Sequence, residues 1–145
     1  MTIFEFQKLL TADLNGSDKL VQGGCKAFAE DTRTVYNESE QFVSSGGVAL
    51  VVVTPRLTRA GGNTDYGIPV EGEILVRCIE RAPLSKNKST LRALDAAAIV
   101  AHSLDDDGLE FKSIDQSVSP HGDTITATVT FSCAFVLTPN DNERN

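Results

Sequence analysis

The residues of this chain best equipped for chemistry are two histidines, three cysteines and the acidic run Asp105-Asp106-Asp107. His102 falls near the C-terminal end of an expected helix, where an imidazolium is mildly favoured. His121 falls in an expected hairpin turn. No serine, cysteine or carboxylate is tied to either histidine by a motif, so neither is assigned to catalysis. Cys25, Cys78 and Cys133 are far apart and none sits in a C-x-x-C. They read as free, partly buried thiols of a reducing compartment. The acidic run ends in Gly108, which invites a calcium reading. An EF-hand loop would align Ser103, Asp105, Asp107 and Gly108 with its first, third, fifth and sixth positions. Its twelfth position would then be Ile114, which cannot ligate. A solvated helix end and turn fits better. Gly61-Gly62-Asn63 is followed by no G-K-[ST] and does not open a helix, so it reads as a flexible tip, not a phosphate cradle. Arg56 and Arg59 precede it and either keep that segment soluble or meet a partner carboxylate. Acids are plentiful but scattered, with no pair placed for acid–base work. The expectation is therefore no enzyme, no catalytic residue, no metal and no cofactor.

At 145 residues the chain fits one domain, and a domain of that size buries roughly 70% of its unfolded surface. Residues 1–138 are expected to form it, with the polar segment 139–145 as a disordered tail. The net charge of −7 argues against non-specific nucleic-acid binding. No apolar run has membrane-spanning length. MTIFEFQKLL carries an acid early and no basic leader, so it does not read as a signal peptide.

The elements that must position these groups follow from periodicity. Ile3, Phe6, Leu10 and Leu14 recur at helical spacing over 3–14, with Thr2 and Glu5 as a capping box. Asn15-Gly16-Ser17 stops that helix. A short strand is expected at 24–29. A second helix over 33–44 is capped by Asp31 or Thr32, with Val35, Phe42 and Val43 as its apolar face. Val48 to Val53 is apolar throughout and predicts a strand buried on both faces. Residues 55–69 read as a long, mobile connection. Residues 70–80 predict a strand with Ile74, Val76 and Cys78 on one face and Glu73, Leu75, Arg77 and Ile79 on the other. Pro83 and Asn87 mark a turn. A helix over 90–104 has Leu91, Leu94, Ala98, Ala101 and Leu104 as its stripe. Residues 109–118 form a strand that turns through 119–123 into a final one. The expected class is α+β. It has a single mixed, largely antiparallel sheet, helices packed mainly on one face, and a long C-terminal β-hairpin.

That final strand stands out. Ile125 to Thr138 holds no charge. Ile125, Ala127, Val129, Phe131, Cys133, Phe135 and Leu137 alternate with Thr124, Thr126, Thr128, Thr130 and Ser132. Thirteen residues at about 3.3 Å each span roughly 43 Å, against a domain diameter of roughly 38 Å. An uncharged, β-prone strand of that length aggregates unless covered. Either its own domain covers it or another copy does. Thr126, Thr128 and Thr130, with Arg56, Arg59 and Tyr66 of the 55–69 segment, are the candidate interface residues.

The block GGVALVVVTPRLTRAGG, YGIPVEGEILVRCIERAPLS and STLRALDAAAIVAHSL runs from Gly46 to Leu104. It places a buried strand ending in proline before a long connection, a strand ending in Glu-Arg-x-Pro, a small-residue helix and a β-hairpin. This layout resembles the tail-terminator and tail-completion proteins of long-tailed phages and prophages, over about residues 25–138. The resemblance implies an α+β subunit without catalytic residues that assembles into a ring, typically of six. Such a ring caps the tail tube and meets the neck. The implied partners are further copies of the chain, the tube protein and neck or connector proteins. The implied place is the virion, assembled in the host cytoplasm. A head–tail connector subunit stays open as an alternative. So does a small ligand-binding domain with its pocket under the 55–69 segment, or an adaptor that recruits a partner at a sheet edge.

Overall fold

The computed structural model describes residues 3–30, 33–62, 67–81, 90–105 and 108–137. The chain runs α1 (Ile3–Asn15), α2 (Asp18–Gln22), β1 (Cys25–Ala29), α3 (Arg33–Ser44), β2 (Val48–Val52), β3 (Arg56–Arg59), β4 (Ile68–Arg81), α4 (Ala93–Leu104), β5 (Glu110–Val118) and β6 (Thr124–Leu137). The strands form one sheet in the order β1-β2-β4-β6-β5, with β3 also on β4. Among the described residues only β1 and β2 are parallel, and every other pair is antiparallel. This is the α+β class that the sequence predicts. The final strand is central over most of its length, between β4 and β5. Of the two readings open for it, cover by its own domain holds as far as Ser132, where the pairing with β5 starts.

Strand parity sorts the core. Leu50, Val52, Ile74, Val76, Cys78, Ala127, Val129 and Phe131 face α1, α2 and α4 in one buried cluster. Ala49, Val51 and Phe28 face the other way, under Val35, Phe42 and Val43 of α3. The helices thus lie mainly on one face, and among the described residues α3 alone covers part of the second. That split explains why β2 is buried at every position.

Three expectations need correction. Residues 55–69 are not one long loop: β3 pairs Arg56 with Glu73 through Arg59 with Val70. Four residues with two arginines give too weak an alternation to read as a strand; the existing edge of β4 supplies the missing order. Helix α4 begins at Ala93, and its buried stripe is Ala93, Ala96, Ala97, Val100, Ala101 and Leu104. Ala98 and Leu94 are exposed. Two stripes compete on this helix. The alanine stripe wins because it allows the backbone close to a sheet already filled by Val129 and Phe131. Finally, α2 was not foreseen, because five residues are too few to show a period. Thr2, Asp31, Thr32, Pro83, Asn87 and the 139–145 segment lie outside the described residues.

Polar side chains close the ends and edges. Asn15, the last residue of α1, donates from Nδ2 to the Ala27 carbonyl (3.1 Å) and accepts from the Ala27 N–H (2.8 Å). Its carboxamide takes the place of a neighbouring strand on the outer edge of β1. Gln7, almost fully buried, donates to the Val52 carbonyl at 2.8 Å and fixes α1 over the end of β2. Glu80, at the end of β4, accepts from Arg92 Nε at 2.9 and 3.1 Å. Arg92 stands just before α4 on the solvent side, with its side chain about half exposed, and this pair joins sheet to helix.

Two expected outcomes follow from these contacts. Asn15→Ala leaves both Ala27 backbone groups unpaired and should cost about 1–3 kcal/mol in a denaturant melt. On α4, Ala97→Phe should cost about 1–3 kcal/mol by overpacking, while Ala98→Phe should change stability by under about 0.5 kcal/mol. The reverse order of the two alanine variants would show a different helix rotation.

Candidate functional site: the open face of the sheet

Among the described residues, the face carrying Thr124, Thr126, Thr128 and Thr130 is covered only at one side, by α3. Its composition follows from register. Ile79 lies beside Thr126 and then Ser117; Arg77 beside Thr128 and then Asp115; Leu75 beside Thr130 and then Ser113. Arg56, Glu73 and Ser132 form the next row, followed by Thr58, Glu71 and Ala134. The hydroxyls are half-buried between these neighbours. Charges absent from β6 itself are therefore supplied by the strands beside it. This removes much of the aggregation hazard expected of an uncharged strand. Along β4 the outer row reads Glu71, Glu73, Leu75, Arg77, Ile79, Arg81. The two acids stand at one end and the two arginines at the other.

Two depressions mark this face. A groove of about 350 Å³ runs between α3 and the sheet. Val35, Val43, Val51 and Ile79 give it an apolar floor, and Glu30, Glu40, Arg77 and Arg81 give it a charged rim. Arg77 reaches Glu30 at 3.9 Å, with both side chains about half exposed, so their attraction is well screened. Tyr36 donates to Glu40 at 2.9 Å. That hydrogen bond, together with the carboxylate charge, pushes the Tyr36 phenol above its ordinary value. The second depression, about 300 Å³, lies over Arg56, Thr58, Glu71, Glu73, Lys112 and Thr130.

The expected interface residues are partly brought together. Thr126, Thr128 and Thr130 share the open face with Arg56. Arg59 is registered with Val70, a core-side residue, and so belongs to the opposite face. Tyr66 lies outside the described residues. Sequence reasoning missed the groove and its charged rim. Arg77 and Ile79 were legible as one face of a strand, but nothing in the sequence said that α3 would stand beside them.

The remaining chemical groups stay apart. His102 and His121 are exposed on α4 and in the β5–β6 turn. In that turn Ser119 donates to Asp123 at 2.7 Å, which holds the Asp123 carboxyl below its usual range. Asp105 accepts from the Phe111 N–H at 2.9 Å, a turn-closing role. Among the described residues no three His, Cys, Asp or Glu side chains are grouped to hold a metal. No described helix is long and apolar enough to cross a membrane. The three cysteines are free. Burial pushes the Cys25 thiol up to about 11 and raises Cys78 further, with Cys25 adding to that rise. Cys133 is raised by burial as well, but it is only half-buried.

No protein-family model and no curated protein sequence matches this chain.

Thiol labelling at pH 8 tests the placement of the cysteines. A raised thiol pKa leaves little thiolate below that value. Ellman's reagent should modify Cys133 first in native protein, and Cys133→Ser should remove that phase. Cys25 and Cys78 should react only on unfolding.

Proposed function

We propose that this chain is a structural subunit of a long-tailed phage or prophage particle, a tail terminator or completion protein. In this reading it closes into a ring that caps the tail tube and joins it to the neck. The observation that carries it is the open sheet face, with hydroxyls at its centre, Glu71 and Glu73 at one end, and Arg77 and Arg81 at the other. Acids and arginines at opposite ends suit a head-to-tail contact, in which one copy's acids approach the next copy's arginines. Contacts of that type close into a ring when the rotation per copy divides the circle. The order β2, β4, α4 and the β5–β6 hairpin also supports the reading, since the sequence resembles that family in this order, with β3 standing where the resemblance has a long connection. A head–tail connector subunit uses the same argument and differs only in its neighbours. A small-ligand reading has two places, the α3 groove with its apolar floor and the depression over Arg56 and Thr58 of the 55–69 segment.

The test is Thr128→Lys. Thr128 is half-buried between Arg77 and Asp115, so the lysine meets one cation and one acid, and a denaturant melt checks that the fold survives. At a subunit contact the same lysine must be desolvated, with a loss of about 2–5 kcal/mol per contact. Light scattering should find the wild-type chain as a closed oligomer, six by the resemblance, and the variant as a folded monomer. A variant that assembles like the wild type removes this face from the contact.

A further inference from the structure

The contact of Asn15 with Ala27 restrains a peptide bond with chemistry of its own. Asn-Gly occurs once in the chain, at Asn15-Gly16. It is the dipeptide in which a carboxamide is most easily lost, because glycine carries no side chain to shield its backbone nitrogen. Both reacting groups are held in the folded chain. The Asn15 carboxamide is tied twice to Ala27: Nδ2 donates to the carbonyl at 3.1 Å, and Oδ1 accepts from the N–H at 2.8 Å. The Gly16 N–H donates to the Ala12 carbonyl at 3.0 Å and to the Asp13 carbonyl at 3.2 Å. Asn15 is the last residue of α1, and both it and Gly16 are exposed to water. Hydrogen bonding, and not burial, keeps the two groups from reacting.

We propose that Asn15 is a deamidation site, kept shut by its contact with Ala27 and by the last turn of α1, and that its conversion opens the outer edge of β1. In the reaction the Gly16 nitrogen attacks Cγ of Asn15. A new C–N bond forms, the bond from Cγ to the carboxamide nitrogen breaks, and ammonia leaves with the Gly16 proton. Water then opens the cyclic imide at either carbonyl, to aspartate or isoaspartate. Ring closure requires the carboxamide to leave Ala27 and the Gly16 N–H to leave the Ala12 and Asp13 carbonyls. It therefore runs only in copies in which the end of α1 has opened locally. The product cannot close in the same way. An aspartate keeps an acceptor for the Ala27 N–H but sets its second oxygen against the Ala27 carbonyl, where Nδ2 had donated. Its charge also stands at the C-terminal end of α1, where the helix dipole opposes it. Isoaspartate lengthens the backbone by a methylene and moves the carboxylate off Ala27. Either product leaves the Ala27 carbonyl unpaired on an edge strand. A transient opening of α1 becomes permanent in the copies that react.

The test is mass spectrometry of the full chain after incubation at pH 8, reading the amide-to-acid mass gain in the tryptic peptide Leu9–Lys19. Conversion should be at least about tenfold slower in folded protein than in protein unfolded by guanidinium. Ala12 is exposed on α1, so Ala12→Gly loosens the last turn and alters neither Asn15 nor Ala27. It should speed the folded-state reaction about fivefold and leave the rate in guanidinium unchanged. Asn15→Asp, which is the product itself, should melt below wild type. Equal rates in folded and unfolded protein overturn the proposal, as does an absence of conversion in guanidinium. So does an Ala12→Gly chain that reacts in the folded state at the wild-type rate, or an Asn15→Asp chain that melts with wild type.

Discussion

The β4–β6 ladder is the constraint on which the rest of this structure depends. Fourteen residues of each strand stay in register, from Ile68 with Leu137 to Arg81 with Thr124. One flank of β4 is long enough to seat both β2 and β3, and the far flank of β6 seats β5. Parity along this ladder decides what is core. A slip of one residue in β6 would carry Ala127, Val129 and Phe131 to the open face and its threonines under α4. The apolar cluster beneath α1, α2 and α4 holds the register against that slip. The near-buried Glu80, paired with Arg92, then ties the end of the ladder to the start of α4.

A surface follows from the same parity. With three helices on one face, the second face is left to α3, which lies over β1, β2 and the near side of β4. What remains open is a polar strip, threonines in the middle and charged rows on either side. Such a strip is soluble in a lone subunit and can still be covered in an assembly, because hydroxyls are cheaper to desolvate than lysines. β4 itself carries its acids at one end and its arginines at the other, and the neighbouring elements set Arg56 and Lys112 beside the acids and Glu30 and Asp115 beside Arg77.

The long, strongly periodic elements were legible in the sequence. The helix expected at 33–44, the doubly buried 48–53 strand and the faces of the 70–80 strand all stand in the structure near their expected limits. What was not legible depended on partners distant in the chain. β3 is a strand only because Val70–Glu73 offers it an edge. The rotation of α4 is set by the volume of Val129 and Phe131 across from it, not by the hydrophobicity of Leu94. The threonine row was visible, but the arginines and acids flanking it belong to β4 and β5 and appear only with the register. Of the expected interface residues, Arg56 joined that row through β3, and Arg59 turned away from it for the same reason.

A single-particle reconstruction of the assembled chain measures the central claim most directly. The account predicts a closed ring with the Thr126–Thr130 row buried at the boundary between neighbouring subunits, the β4 acids of one copy near the β4 arginines of the next. A ring that leaves this row in solvent, or particles that remain single subunits with the row exposed, would contradict it.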